Sequence, residues 1–322
     1  MLQPTHIFTN RGSTLFLNAY KTIQHLTPPQ KFIITYYDSR MLSQKKVDEL
    51  IKNGAKEEEI FHIMDDSHTW RIDDKREFAR LMRGSRYNPL CFLDYNAFVK
   101  VKDKYPEDKL WFIKSRGGTG GRAVTCSYTK DIIQNPGNNF VIQEGISSID
   151  LWNNRKYVIR SYIFIWNKQA WLHKKAWAMI HGKDYVENSV DFDIQINHNG
   201  YCNSSAAVKI FNLETIRTLN SKHKNTYEKI TSLLYSSSKD LCERFKDMID
   251  KSTERRFILL GIDSLIIKNG GNLDLRFVEV NRFPNICHTY EVNRDVNEIV
   301  ITDILKKFYN IETPFGSGFV PL

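Results

Sequence analysis

The sequence contains 322 residues, 41% of them hydrophobic and 12% aromatic, which is enough apolar material for two or three packed lobes and too much for a disordered chain. Its 46 basic and 37 acidic residues give a net charge of +9, which favours encounters with polyanions such as nucleotides, nucleic acid or acidic protein tails, although lysines spread over a solvated surface would give the same count. The sequence has no run of about 18 apolar residues, no secretory signal and no CxxC pair among its five cysteines. We therefore expect a cytoplasmic protein in a reducing compartment, with no membrane span, disulfide framework or zinc site.

The first 85 residues are predicted to form a small α/β lobe. An apolar, strand-like segment covers residues 31–37, and a charged segment with helical periodicity follows over residues 43–53 and ends near Gly54. This lobe carries no motif that indicates chemistry.

Two further lobes are predicted, a central one over residues 86–146 and a C-terminal one over residues 147–322. Short strands interrupted by glycine and proline are predicted in the central lobe, and strands with period-two alternation dominate the C-terminal lobe. A helical pattern over residues 227–250 intervenes, with a predicted break at Ser236-Ser237-Ser238. The predicted fold class is therefore mixed α/β (α+β), with largely antiparallel sheets in the last two lobes.

A glycine-rich loop joins two predicted strands of the central lobe. Its glycines let the backbone approach a ligand and expose amides to phosphate, and the neighbouring cations add compensating charge. The loop is no Walker motif, because GxxxxGK[ST] is absent, and a strand rather than a helix follows it. The alternative is an ordinary flexible hairpin tip. The candidate phosphate-binding residues are Lys114, Gly117, Gly118, Gly120, Gly121 and Arg122.

A strand that ends at a glycine follows the loop. Such a segment can act as a hinge whose backbone amide and carbonyl contact the edge of an adenine ring, although a buried edge strand has the same pattern. The candidate hinge residues are Gln143, Glu144, Gly145 and Ile146.

An alternating basic hairpin begins the C-terminal lobe. If Trp166 pairs with Gln169 across the turn, Arg160 lies opposite Lys175, and Lys156 shares their face. Three cations on one face repel one another unless an anion binds among them, and a triphosphate or an acidic peptide would serve. The alternative is a solvated sheet face with lysines whose stems cover core tryptophans.

An acidic hairpin with a Gly270-Gly271 turn lies near the C-terminus. If Ile267 pairs with Leu273, one face is apolar until it ends in oxygen-bearing side chains. These side chains are Asp263, Glu279 and Asn281. Oxygen ligands of this kind suit Mg²⁺ bound to phosphate. Alternatively, the carboxylates reach solvent or pair with Arg276 or Arg282.

Taken in chain order, these segments resemble the tubulin tyrosine ligase-like family of ATP-grasp ligases, over roughly residues 110–300. The segments that carry the resemblance are Lys114, the loop 117–122, the hinge 143–146, Arg-Lys-Tyr-x-Ile-Arg at 155–160, Gly-Ile-Asp at 261–263 and Phe-Val-Glu-Val-Asn-Arg-Phe-Pro at 277–284. The resemblance implies an ATP-grasp fold with ATP and Mg²⁺ as cofactors.

The resemblance also implies a role for each segment. Lys114 and the glycine-rich loop contact the ATP phosphates, and the hinge holds adenine. Lys156 and Arg160 face ATP and the incoming carboxylate, and the trio of Asp263, Glu279 and Asn281 binds Mg²⁺. The implied reaction phosphorylates a carboxylate to an acylphosphate, which an amine then attacks with loss of phosphate. The implied partners are a free amino acid and a protein or peptide acceptor with an acidic segment, such as tubulin.

The sequence departs from the family pattern at several positions. Val158 stands where the family strand usually carries aspartate, and Met179 stands where the returning strand usually carries an arginine. Lys174 and Lys175 are the candidates to replace that arginine, and Lys175 with Arg160 forms the predicted catalytic pair, although a lysine lacks the bidentate fork. The family's His-Leu-Thr-Asn segment has no clear counterpart here.

Three hypotheses follow from these observations. The first is an ATP-dependent ligase that adds an amino acid to a protein, and the second is a ligase of the same fold that acts on a small molecule. The third is an inactive module that binds a nucleotide, nucleic acid or microtubules. Nucleic acid is not the expected partner, because it would require tryptophans beside the basic hairpin to be exposed, whereas such tryptophans are more often core residues.

Overall fold

The computed structural model describes residues 6–27, 32–37, 40–64, 69–118, 121, 123–137, 139–196, 209–215, 224–311 and 318–322. Among these residues, no helix is both long and apolar enough to cross a membrane. Two sheets organise the described chain, a small one of four strands and a large one built from strands of both ends of the chain.

Strands and helices alternate in the first part of the chain. The elements are β1 (His6–Thr9), α1 (Ser13–Ile23), β2 (Ile33–Tyr36), α2 (Arg40–Lys52), β3 (Ile60–Ile63), α3 (Trp70–Asp73) and α4 (Lys75–Leu81). The three strands are parallel, and every residue of β2 and β3 is buried, as expected for parallel strands covered on both faces. The predicted strand and helix are confirmed as β2 and α2.

The small sheet is antiparallel, in the order β4-β7-β5-β6. Its elements are β4 (Cys91–Phe92), α5 (Tyr95–Val99), β5 (Leu110–Ser115), β6 (Val124–Tyr128) and β7 (Phe140–Glu144). Phe98, Trp111, Ile132 and Ile142 form its core, and the Trp111 indole donates to the Thr129 hydroxyl at 2.9 Å. The sheet is therefore anchored by a small aromatic core of its own.

The large sheet is mostly antiparallel and has the central order β1-β2-β3-β13-β9-β10-β15. Its remaining strands are β8 (Leu151–Trp152), β9 (Arg155–Trp166), β10 (Gln169–His173), β11 (Trp177–Ile180), β12 (Lys209–Asn212), β13 (Arg256–Asn269), β14 (Asn272–Asn281) and β15 (Phe319–Pro321). β14 extends β13 as a hairpin, and β8 and β11 pair with β9. Because β3 also pairs with β13, the first lobe is joined by hydrogen bonds to the last. The boundaries at residues 85 and 146 remain predictions.

Helices cover both faces of β9. They are α6 (Phe192–Gln195), α7 (Lys224–Arg244), α8 (Lys246–Asp250), α9 (Tyr290–Val292) and α10 (Glu298–Phe308). Ile159 and Ile163 belong to the core shared with α7 and α8, whereas Tyr162 and Phe164 belong to the core shared with α1 and α10. This alternation follows from the two-residue period of a strand, and each such side chain contributes roughly 1.5–3 kcal/mol on burial.

The predicted helix break at residues 236–238 is wrong, because α7 continues through these serines to Arg244. Ser237 and Ser238 are buried, and the Ser237 hydroxyl donates to the carbonyl oxygen of Leu234 at 3.2 Å. A serine that satisfies its hydroxyl within the helix can pack closely against the sheet. The helix instead ends at Arg244, and Phe245 separates α7 from α8.

Candidate active site

A cleft lies between the small sheet and the end of the large sheet where β9, β13 and β14 meet. It encloses about 800 Å³ of space, including its opening to solvent. Of the described residues predicted for the site, those that line the cleft are Lys114, Gly121, Gln143, Glu144, Ile146, Lys156, Asp263 and Glu279. The other described residues predicted for the site do not line the cleft but lie next to these residues in sequence or in space. They are Gly117, Gly118, Gly145, Arg160 and Asn281. Gly120 and Arg122 lie outside the described residues.

The glycine-rich loop joins β5 to β6 as a hairpin, as predicted, with Lys114 opposite Val124. Two of its glycines are required by space. A Cβ atom on Gly118 would lie 2.3 Å from the Cβ of Ala123, and one on Gly121 would lie 2.8 Å from a methyl group of Ile196. A Cβ on Gly117 would meet nothing within 4 Å. The loop therefore needs glycine at position 118, which lies against Ala123, and at position 121, which lies against Ile196 just after α6.

Two buried lysines project into the cleft, one from each sheet. Lys114 donates to the carbonyl oxygen of Val278 at 3.2 Å, and Lys156 donates to the main-chain and side-chain oxygens of Gln195 at 2.8 and 3.2 Å. Both ammonium groups lie over the Phe112 ring, at 5.8 and 5.2 Å from its centroid. Within the described residues, neither lysine donates to a carboxylate.

Burial changes the protonation of both lysines. It lowers the pKa of Lys114 to about 8, although the charge of Glu279 opposes this shift. It lowers the pKa of Lys156 to about 7, with only the Cys126 thiol opposing it. A buried ammonium without a carboxylate is destabilising, and an anionic ligand would relieve that cost. The lysine end of the cleft, defined by Lys114 and Lys156, is therefore suited to bind an anion.

Arg160 and Asp263 form a buried ion pair. The guanidinium Nε and Nη2 atoms donate to the two carboxylate oxygens at 2.5 and 2.8 Å, and Asp263 is only 2% exposed. Burial alone would lower the pKa of Arg160, but the charge and hydrogen bonds of Asp263 raise it above its usual value. Neither Arg276 nor Arg282 is the partner of Asp263, because Arg276 binds Asp274 and Arg282 binds Asp73.

The predicted pairing of Arg160 with Lys175 is wrong. Trp166 does pair with Gln169, but Arg160 lies opposite Trp177, because the chain leaves the ladder after β10 and returns to β9 in a new register as β11. Lys175 lies in that connection, where its ammonium binds Glu214 at 2.5 Å. The structure therefore does not bring Lys175 to the cleft, and three cations do not share one face.

The predicted register of the acidic hairpin is also wrong by one residue. Lys268 rather than Ile267 pairs with Leu273, because the turn consists of Gly270 and Gly271 alone, both with positive φ. A β-bulge between Asp263 and Ser264 then shifts the register again. The outcome is that Asp263 lies directly opposite Glu279.

The structure brings the three predicted metal-binding residues to one end of the hairpin. Asp263 and Glu279 are cross-strand partners, and the Asn281 amide donates to a Glu279 oxygen at 3.2 Å. Among the described residues, no group of three or more His, Cys, Asp or Glu side chains is placed to hold a metal ion. Two carboxylates and one amide oxygen nevertheless form the hard oxygen donor set that Mg²⁺ prefers. We call Asp263 and Glu279 the carboxylate end of the cleft.

The hinge segment is only partly available to a ligand. Gln143, Glu144 and Ile146 line the cleft, but the amides of Glu144 and Gly145 donate to the carbonyl oxygens of Leu90 and Leu110. A Cβ on Gly145 would lie 2.7 Å from the Leu110 oxygen, so the glycine allows this close approach of β5. The amides of these two residues are therefore committed to the fold rather than to an adenine edge.

Sequence reasoning missed several residues of the site, and two of them, Lys75 and Gln195, contact residues that were predicted. Lys75, at the start of α4, donates to the Gly118 carbonyl oxygen at 2.6 Å and lies 3.6 Å from a Glu279 oxygen. Gln195, on α6, holds Lys156. The only sequence signal for Lys75 is the Asp74-x-x-Glu77 helix-start pattern, which predicts a helix and not a contact with the loop.

Comparison with known proteins gives the family and the fold of this chain. The profile of the tubulin-tyrosine ligase family matches residues 59–316. One similar solved structure is the C-terminal domain of Pby1 from K. lactis, described as an ATP-grasp enzyme that interacts with the mRNA decapping enzyme Dcp2. It has a TM-score of 0.64 and 17% identity, over 99% of this chain and 98% of that chain. None of the curated proteins compared with this chain matches it.

The structural similarity confirms the predicted fold class, a mixed α/β chain with the ATP-grasp fold. The family match spans most of the sequence, including the glycine-rich loop, the basic hairpin and the acidic hairpin. The chain belongs to the tubulin-tyrosine ligase family.

Proposed function

We propose that this chain is an ATP- and Mg²⁺-dependent ligase that joins a carboxylate to an amine. Membership of the tubulin-tyrosine ligase family and the ATP-grasp fold support an ATP-dependent, ligase-like activity. The observation that carries the proposal is the pair of buried lysines, Lys114 and Lys156, whose hydrogen bonds go to neutral oxygens in a cleft that also contains Asp263 and Glu279.

The two ends of the cleft suit the two parts of Mg-ATP. Lys114 and Lys156 would hold phosphate oxygens, and the negative charge of the phosphates would favour the protonated form of both lysines. Asp263, Glu279 and Asn281 would hold Mg²⁺, which supplies charge stabilisation to a transferring phosphoryl group when bound. The apolar side chains of Phe112, Ile146 and Leu265 line the same cleft and suit a flat ring.

The proposed reaction transfers the terminal phosphoryl group of ATP to the carboxylate of one substrate. The amine of the other substrate attacks the resulting acylphosphate, the new C–N bond forms, and phosphate and a proton leave. The chain's contribution is to position the reactants and to place fixed positive charge beside the phosphates. In the structure, Nε and Nη2 of Arg160 both donate to Asp263. The direct role of Arg160 is therefore to hold the Asp263 carboxylate in place.

The acceptor proposed is a protein with an acidic segment, and tubulin is one such protein. The net charge of +9 supports attraction to an acidic tail. That Pby1 interacts with a decapping enzyme supports a protein partner for this chain as well. A free amino acid is the proposed second substrate.

One observation favours an alternative, a nucleotide-binding module without ligase activity. Val158 and Met179, the two departures from the family pattern, are direct cross-strand partners on β9 and β11, and both are buried. Where the family pattern has an aspartate and an arginine, this chain has two apolar side chains, so neither position buries a charge without a partner. This pair is equally compatible with a ligase that acts on a small molecule and binds its second substrate against an apolar surface.

The test is Mg²⁺-dependent ATP binding, measured by calorimetry on wild type and Glu279→Gln. The substitution is nearly isosteric and removes one proposed ligand charge, so the affinity for Mg-ATP should fall roughly tenfold or more. The matched control is Glu228→Gln, at an exposed position on α7, which should leave binding unchanged.

If wild type binds no nucleotide, the ligase proposal fails. If it binds ATP but mass spectrometry finds no modified peptide with acidic acceptors and amino acids, the binding-module alternative is favoured.

A further inference from the structure

The turn between α3 and α4 contacts the start of the glycine-rich loop through both main chain and side chains. The Lys75 amide donates to the Arg116 carbonyl oxygen at 3.2 Å, and the Lys75 ammonium donates to the Gly118 carbonyl oxygen at 2.6 Å. In the other direction, the Arg116 guanidinium donates to one oxygen of Asp74, at 2.9 Å from Nε and 2.8 Å from Nη2. These contacts join residues more than 40 positions apart.

We propose that Asp74 and Lys75 are positioning residues that hold the described start of the loop, Arg116 to Gly118, beside the carboxylate end of the cleft. Residues of the first lobe would thereby contribute to the nucleotide site, although that lobe carries no chemical motif. The proposal deepens the proposed ligase function and rests on it for its biological meaning, but the contact itself is independent of any ligand.

Lys75 links the loop to Glu279. Its side chain is 12% exposed, and its ammonium lies 2.6 Å from the Gly118 oxygen and 3.6 Å from a Glu279 oxygen. An ammonium has three donors, so it can hold a carbonyl oxygen and still lie beside a carboxylate. Because the acceptor in the loop is neutral, the positive charge of Lys75 remains available to Glu279. The position of the loop and the charge at Glu279 are therefore coupled through one side chain.

The two carboxylate oxygens of Asp74 have different roles, one as a helix cap and one as the partner of Arg116. Oδ1 accepts from the amides of Arg76 and Glu77 and so caps the N-terminus of α4, whereas Oδ2 accepts from Arg116. The carboxylate that fixes the start of the helix thus also fixes the start of the loop. Asparagine caps helices about as well as aspartate does but cannot form the ion pair, so Asp74→Asn separates the two tasks.

Limited proteolysis with trypsin, without nucleotide, tests the contact at one peptide bond. Trypsin must bind the Arg116 side chain to cleave after it, and in wild type that side chain is held by Asp74. Lys75→Met and Asp74→Asn should be cleaved after Arg116 roughly five- to tenfold faster than wild type, the factor expected from the loss of about one charge-assisted hydrogen bond. Cleavage is read by mass spectrometry.

Three controls separate positioning from a general loss of structure. Lys75→Arg keeps a cationic donor and should be cleaved after Arg116 within about twofold of wild type. Lys183→Met removes an exposed ion pair with Asp191 and should be unchanged. Asp74→Asn should unfold cooperatively within about 4 °C of wild type, because the helix cap is retained and only one ion pair is lost. If Lys75→Met does not fold, Asp74→Asn decides the test.

Equal cleavage after Arg116 in wild type and in the folded Lys75→Met and Asp74→Asn variants would overturn the proposal. A second series with Mg-ATP distinguishes this failure from failure of the proposed function. Protection of the Arg116–Gly117 bond by Mg-ATP in wild type supports the positioning role at the nucleotide site. Faster cleavage in the variants with no effect of Mg-ATP on any of them supports the contact and contradicts the nucleotide site.

Discussion

The lysine end and the carboxylate end of the cleft both bury charge, but they compensate it differently. At the carboxylate end, Asp263 receives a forked Arg160 and Glu279 lies beside Lys75, so each carboxylate has a cationic partner. At the lysine end, Lys114 and Lys156 donate to neutral oxygens of Val278 and Gln195.

The difference appears in the protonation of the cations. Burial lowers the pKa of Lys114 to about 8 and that of Lys156 to about 7, whereas Asp263 raises the pKa of Arg160 despite its burial. The partner of a buried charge offsets part of its desolvation cost, whereas a buried charge without an oppositely charged partner is retained at a cost to stability. The charges at the carboxylate end therefore compensate one another, whereas the positive charge at the lysine end suits an anionic ligand.

The largest expected effect is at the Arg160–Asp263 pair. Asp263→Asn leaves a buried guanidinium without its counter-charge, so the free energy of unfolding should fall by about 3 kcal/mol. Urea denaturation measures this fall. Asp191→Asn, which weakens the exposed pair with Lys183, is the control and should change the value by less than about 1 kcal/mol.

A loss below about 1 kcal/mol for Asp263→Asn would show that Arg160 does not depend on Asp263 to compensate its buried charge. The double variant Arg160→Met/Asp263→Leu sharpens the result, because it removes both charges and should be more stable than Asp263→Asn alone.

The next largest effect concerns Lys156 and pH. Its pKa falls from 10.5 to about 7 on folding, so between these values the unfolded chain binds more protons than the folded chain. The free energy of unfolding should therefore rise with pH over this window, by on the order of 2 kcal/mol between about pH 7 and 9. Below about pH 7 both forms are protonated and the Lys156 contribution stays constant.

Lys156→Met isolates that contribution. The variant should lack this part of the pH dependence and should be more stable than wild type near pH 7, while its affinity for ATP falls. Urea denaturation at the two pH values measures the effect, with Lys229→Met at an exposed position of α7 as the control. Equal pH dependence in wild type and Lys156→Met would show that the lysine is not held without a counter-charge.

The smallest expected effect distinguishes two neighbouring glycines of the glycine-rich loop. Gly118→Ala places a Cβ 2.3 Å from that of Ala123, whereas Gly117→Ala places one in open space. The first should reduce the free energy of unfolding by about 1 kcal/mol and weaken ATP binding, and the second should do neither. Thermal unfolding and calorimetry on the pair measure this, and indistinguishable variants would mean that the loop adjusts without cost.

The sequence predicted the hairpins better than their registers. The Gly270-Gly271 turn and the Trp166–Gln169 pair are local features, and both are present. The bulge at Asp263 and the new register of β11 depend on neighbouring strands, so no local pattern specifies them. The prediction that Asp263 and Glu279 share one face nevertheless holds, because the bulge increases the register offset from one residue to two, and an even offset keeps side chains on the same face.

The sequence by itself determined the mixed α/β class and the segments that meet at the cleft, because turn chemistry and strand periodicity act over a few residues. The resemblance of these segments, in chain order, to a known family pattern indicated the family. Only the tertiary structure decided which charges are paired. In the folded chain Arg160 pairs with Asp263, Lys175 pairs with Glu214, and Lys75 of the first lobe donates to the carbonyl oxygen of Gly118. Charge pairing depends on distances between elements far apart in the chain and on the water excluded when they pack, and neither is written in the spacing of residues.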